Sequence, residues 1–152
     1  MSSAPDTSSN GAPPLDGIVE SVLYTADKAR ARAFFERVLG LEPHLADERF
    51  LAYPVGASML LVFQRGETDT TVTLPDGMGT IPPHDGAGRQ HVALAIGAEQ
   101  LPAWEAHLDA EGVIIEGRTR WPRGSESLYF RDPDGHLIRS EERRVGKECR
   151  SR

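Results

Sequence analysis

The chain has little of what several protein classes require. It carries one cysteine, Cys149, which excludes an intramolecular disulfide and a cysteine-rich zinc site and suits a reducing cytoplasm. No run approaches the roughly 20 apolar residues of a membrane span. The opening MSSAPDTSSNGAPP has neither a basic nor an apolar block of the kind a secretory signal needs, so a cytoplasmic location is expected. Positive charge is in the minority: 17 Lys and Arg face 23 Asp and Glu, a net charge of -6. Nucleic acid and anionic membranes are therefore excluded as general partners. No glycine motif has the phosphate-loop spacing, so nucleotide binding is unsupported. What remains is 152 residues with 39% hydrophobic content, enough for one domain with a real core.

Residues 1–14 offer almost nothing to bury and are expected to be disordered. From Gly17 to Thr25 the chain reads as a strand, closed by the capping residue Asp27. In KARARAFFERVLG the residues Ala31, Phe34, Phe35, Val38 and Leu39 form a helical stripe that Gly40 ends. Strands are expected at Arg49 to Tyr53 and Ala57 to Phe63, around a Pro54-Val55-Gly56 turn. Residues 64–90 are rich in Gly, Pro, Thr and Asp and read as a connector, with a short strand at TVTL. The pattern then restarts with HVALAI as a strand, AEQLPAWEAHLDAEG as a helix and VIIEGRTRW as a strand. SLYFRD and a last strand opening at His136 follow, joined by the Asp132-Pro133-Asp134-Gly135 turn. Strand, helix and strands thus occur twice: a shift of 71 lays Glu20 on His91, and a shift of 79 lays Gly56 on Gly135 and Leu60 on Arg139.

Three pieces in this order, Ala33-Phe34-Phe35 with Val38-Leu39-Gly40-Leu41, Arg89 to Leu94, and Ser127 to His136, resemble the vicinal oxygen chelate superfamily of glyoxalases, bleomycin-resistance proteins and extradiol dioxygenases. The resemblance covers about residues 15–138. It implies an α+β fold of two βαβββ modules in a half-open barrel, commonly as a homodimer. The domain would comprise module one at 15–66, a connector at 67–88 and module two at 89–138. It further implies a divalent metal (Fe, Mn, Ni or Zn) that chelates two adjacent oxygens of a small-molecule substrate, and it names no catalytic acid or base.

Carried over residue by residue, the resemblance puts metal ligands at Glu20, on the first strand, and His91, on the strand that opens the second module. Carboxylate and imidazole suit such an ion. Strand parity agrees: Val92, Leu94 and Ile96 make one apolar face and leave His91, Ala93 and Ala95 on the other, where small side chains leave room for a ligand. Leu60 cannot ligate, and Arg139 stands where the family's last strand has Glu and cannot serve either. An uncompensated carboxylate in an apolar strand is costly, so Glu20 calls for a metal or an arginine, with Arg139 as the alternative partner. His91 has its own alternative, a hydrogen bond inside the barrel.

From Arg139 onward, RSEERRVGKECRSR places Lys or Arg at six of 14 positions and lacks apolar alternation. Residues 139–152 are accordingly expected to be non-native or unstructured, with Glu141 a distant substitute for the missing ligand. His84 reads as a loop residue, with lining of the cavity entrance as its alternative, His44 and His107 as solvated, and His136 as exposed. Tyr24, Tyr53, Phe63, Trp121 and Tyr129 read as core residues, and Arg118, Arg120 and Arg123 as a solvated set that could meet an anionic substrate group. Two functions follow as expectations: a metal-dependent lyase, dioxygenase or transferase, or a metal-free protein that sequesters a small molecule. An interaction role for an inactive paralogue is a third, with no residue speaking for it.

Overall fold

The computed structural model describes residues 11–143. Its elements run β1 (Glu20–Thr25), α1 (Lys28–Ala33), β2 (Leu45–Ala46), β3 (Phe50–Val55), β4 (Ser58–Gln64), β5 (Val72–Thr73), β6 (Thr80–Ile81), β7 (His91–Gly97), α2 (Leu101–Ala110), β8 (Gly117–Arg120), β9 (Glu126–Arg131) and β10 (Leu137–Arg143). Two βαβββ modules result. Each makes a four-stranded sheet whose order is first, fourth, third, second: β1-β4-β3-β2 and β7-β10-β9-β8. In both, the first and last strands pair in parallel, Glu20 beside Met59 and His91 beside Leu137. A small β5–β6 ladder sits in the connector.

The first helix starts where Asp27 accepts the Arg30 N–H at 3.2 Å. It then widens into a π-helical turn over Phe34–Val38, with the Leu39 N–H bonded to the Phe34 carbonyl at 3.2 Å. Both phenylalanines are thereby buried, ring edge to ring face at 5.4 Å. Phe34 also meets Phe130 of the second module, and one core extends through Phe35, Leu51, Tyr53, Leu60 and Val62 to Leu108, Leu128 and Ile138. The apolar faces of both sheets and both helices are spent on this shared core.

The expected strand at 113–121 contracts to Gly117–Arg120, since Val113 to Glu116 lie outside any strand, and the expected helix at 98–112 to Leu101–Ala110 behind a 3-10 turn at Ala98–Gln100. Residues 139–143, expected beyond the domain, complete β10 and pair with β7 as far as Arg143 beside Gly97. Backbone pairing to a neighbouring strand needs no aliphatic side chains, and the small Ser140 is buried on the inward face with its Oγ accepting the Leu128 N–H at 2.9 Å. Residues 144–152, with Cys149, and residues 1–10 lie outside the described residues; residues 11–14 have no regular structure and are exposed.

β1 and β7 are both edge strands, facing each other across the seam between the modules. At one end of the seam the Tyr24 N–H donates to Gln90 Oε1 at 3.3 Å and His136 Nε2 to the Tyr24 carbonyl at 2.8 Å. At the other end a cleft of about 520 Å³ opens between Ser21, Val55 and Met59 on one side and Ala93, Ala95 and Arg143 on the other. The two strands therefore run in opposite directions along the seam.

Candidate functional site

His91 opens β7 on the outward face, beside exposed Ala93 and Ala95, while Val92, Leu94 and Ile96 lean on the core. Its Nδ1 lies 2.9 Å from the Leu137 carbonyl and donates to it, which orients the ring and leaves Nε2 pointing away from that bond. A backbone carbonyl on one imidazole nitrogen is the usual support for a metal on the other. Glu20 opens β1 on the outward face shared with Val22 and Tyr24, and no hydrogen bond or ion pair holds its exposed carboxylate among the described residues.

The seam separates these two. Glu20 lies at the cleft end, next to Ser21, whereas His91 follows Gln90 at the pinned end. Their side chains do not converge within one chain. Nor does Arg139 pair with Glu20: its guanidinium donates to Ser127 Oγ at 3.0 Å and to Glu141 at 2.5 Å, and lies 5.5 Å from the centre of the Trp121 ring. Arg139 shares the His91 face, beside Ala93. The corresponding place in module one, two residues beyond the partner of Glu20, is Leu61 and not Leu60, which is turned into the core. The register lays Leu137 on Met59, an offset of 78 in place of 79; Leu60 and Leu61 are both aliphatic, so module one still supplies no ligand at that place.

Tested against a divalent metal, the outward Nε2 of His91 and the uncommitted carboxylate of Glu20 fit, and the cation Arg139 does not. Glu141, two residues on, is drawn into the Arg139 ion pair.

A second cluster was not foreseen. Asp132, Asp134 and His136 place ligand-type atoms within 4.8 Å of one another, the only such group of three among the described residues. Its atoms are already engaged. Asp134 accepts from Thr25 Oγ1 at 2.5 Å and from the Ala26 N–H at 2.9 Å, with Arg30 at 3.9 Å. Asp132 Oδ1 accepts the N–H groups of Asp134 and His136, and the His136 ring bonds through both nitrogens to Gln90 and Tyr24. This is a clasp between modules. His136, expected at the surface, is only 1% exposed. Burial pushes the Asp132 carboxyl above its ordinary range, with nearby His136 pulling the other way. The Asp-Pro-Asp-Gly turn was legible in the sequence; that its side chains reach 108 or more residues back to β1 was not.

His84 sits over module one's outward face, its Nδ1 2.7 Å from the Tyr24 hydroxyl and its ring edge-on to Phe63 at 4.6 Å. Burial, and the charge of Asp85, raise the Tyr24 hydroxyl above its ordinary value. His107, expected to be solvated, is half-buried and bonds through Nε2 to the Val38 carbonyl at 2.8 Å, tying α2 to the first helix. His44 is exposed. Of the aromatic residues expected in the core, Tyr53 is fully buried, Tyr24, Phe63 and Tyr129 are half-buried, and Trp121 is exposed with its indole N–H on Ser127 Oγ at 2.9 Å. Arg118 and Arg120 are ion-paired with Glu105 and Glu126, while Arg123 has no ion pair among the described residues.

The sequence profile of the Glyoxalase/Bleomycin resistance protein/Dioxygenase superfamily matches residues 17–139, and the chain belongs to that superfamily. It is similar to Metallothiol transferase FosB of Shouchella clausii, 25% identical over 82% of this chain and 78% of that protein. A shorter match, 47% identical over 47 residues, spans 30% of this chain and 30% of Metallothiol transferase FosB of Bacillus licheniformis. Among solved structures, the lactoylglutathione lyase of Agrobacterium tumefaciens superposes with a TM-score of 0.74 at 30% identity, covering 91% of this chain and all of that one. The fosfomycin resistance protein FosX of Listeria monocytogenes shares the fold, with a TM-score of 0.64 at 15% identity over 90% of this chain and 98% of that one. Among the described residues no helix is long and apolar enough to cross a membrane.

Proposed function

We propose that this chain is the scaffold of a metal-dependent enzyme that holds a small molecule through two adjacent oxygens, with Glu20 and His91 as metal ligands. The observation that carries the reading is His91, whose Nδ1 is fixed on the Leu137 carbonyl while Nε2 is left for a metal. A divalent ion bound there supplies Lewis-acid polarisation of the chelated oxygens. The relatives' names make thiol transfer the first reaction to assay and lactoylglutathione lysis the second.

Because Glu20 and His91 stand at opposite ends of the seam, the site is shared in a homodimer: Glu20 of one copy meets His91 of the other. Exposed Leu15, Ile18 and Val19, just ahead of β1, offer apolar surface for such an interface. Mixing the variants Glu20→Ala and His91→Ala tests this, since a hybrid dimer has one intact site. Calorimetric titration with Mn(II) should find no site in either variant alone and recovered binding in the mixture. No recovery, with the wild-type chain binding, would place both ligands in one chain and overturn the sharing.

The segment from Arg139 is, in this reading, a foreign replacement for the native end of the last strand, supported by a cation at a ligand position and the six basic residues among its 14. Mass spectrometry of natively expressed protein carrying these residues intact would remove that idea. Arg139 also favours the second reading, a metal-free binder, because a guanidinium beside Trp121 and Ser127 suits an anionic ligand group that takes the place of Glu141 in its ion pair, without a metal. Ligand affinity that survives chelation identifies that case.

A further inference from the structure

Resting on His91 as a ligand, we infer that His136, buried behind the site, is a positioning residue that sets the direction of the His91 ring. β7 is an edge strand, and the first residues of an edge strand have the fewest partners to hold them. The backbone of Gln90, immediately before His91, is nevertheless held at both of its polar groups: its N–H donates to His136 Nδ1 at 3.3 Å and its carbonyl accepts the Leu137 N–H at 2.8 Å. Leu137 is the residue whose carbonyl orients the His91 ring. His136 and Leu137 therefore hold the backbone of residue 90 and the side chain of residue 91 as one unit.

The partners also define the chemical form of His136. An N–H facing Nδ1 requires a lone pair there, and a carbonyl facing Nε2 requires a proton there, so the ring carries its proton on Nε2. Nε2 reaches across the seam to Tyr24, whose own N–H is taken by the Gln90 side chain at 3.3 Å. The ring thereby ties the ligand strand to β1 as well as to β10. Metal sites demand ligand placement to a few tenths of an ångström, and partners behind the ligands commonly change affinity by about 10- to 100-fold.

Two substitutions separate the halves of this contact. In His136→Asn the side-chain oxygen stands near the place of Nδ1 and can still accept the Gln90 N–H. In His136→Gln the amide reaches the place of Nε2 and can serve Tyr24 only. Long-range 1H–15N NMR of the metal-free protein reads the His91 tautomer, and Mn(II) titration reads affinity. Wild type and His136→Asn should show His91 protonated on Nδ1 and affinities within about threefold. His136→Gln should show mixed tautomers and about tenfold weaker binding. Should it fail to fold, His136→Met, apolar and of similar reach, replaces it and should behave as the glutamine variant does. An intact Nδ1–H signal in the Gln or Met variant, or equal losses in the Asn and Gln variants, overturns the inference. A wild-type chain that takes no Mn(II) overturns the metal reading instead, and the NMR signal alone then judges the role of His136.

Discussion

The imidazole of His136 donates to the carbonyl oxygen of Tyr24 at 2.8 Å across 112 residues of chain, joining the turn ahead of β10 in one module to the edge strand β1 of the other. Beside it Asp134 receives the Thr25 hydroxyl and the Ala26 N–H. The modules are thus held by a buried apolar core and by this polar clasp.

Removing the clasp carboxylate should be costly. The Asp134 side chain is 2% exposed, and Asp134→Ala removes two hydrogen bonds to a carboxylate, leaving the buried Thr25 hydroxyl only its 3.2 Å contacts with the Asp27 backbone and the exposed Ala26 N–H to water. A hydrogen bond to a charged group contributes about 1.5–3 kcal/mol, so with one of the two exposed urea unfolding should show a loss of about 2–4 kcal/mol. A loss under 1 kcal/mol would mean that water replaces the clasp.

Asp132 gives a pH signature. Burial raises its carboxyl above the ordinary 3.8, so the folded state holds the proton more tightly than the unfolded chain does. Its contribution to stability is fully present below the ordinary value and is lost as pH rises through the raised one. Asp132→Asn keeps an oxygen for the N–H groups of Asp134 and His136 and does not ionise. The stability of the variant relative to wild type should therefore improve as pH climbs through that window. A flat difference across denaturation curves at several pH values would show that Asp132 titrates alike in both states.

Glu20→Ala and His91→Ala should leave the fold almost untouched, because both residues are exposed and no ion pair holds either among the described residues. Surface changes of this kind stay within about 0.5 kcal/mol. Metal binding should nevertheless vanish in each. Unchanged affinity in His91→Ala would end the case for that ligand.

Arg139→Glu should strengthen divalent-metal binding at least tenfold, since it removes a cation, adds a carboxylate on the His91 face and releases Glu141. Titration of the two proteins side by side checks it. Equal affinities would show that position 139 stands clear of the ion.

Much of the fold was legible in the residues because its signals are local. The phenylalanine stripe, the turn at Asp132 to Gly135 and the alternation through Val92, Leu94 and Ile96 report period and turn chemistry within a few residues. The length of β10 was not legible, because its ladder partner in β7 supplies what its side chains lack. The same holds for Leu61 taking the place assigned to Leu60, since only the strand register decides which of two neighbouring residues shares the face of Glu20.

The sequence alone determined the two-module plan and the outward face of His91, which follow from element order and strand parity; that Arg139 stands at a ligand position is what the family resemblance implies. Only the tertiary structure decided that His136 lies inside, that Arg139 turns to Ser127 and Glu141, and that Glu20 and His91 part company along the seam. Those depend on how two edge strands are laid against each other. That arrangement is set by a core and a clasp built from residues more than 100 positions apart, which no local pattern encodes.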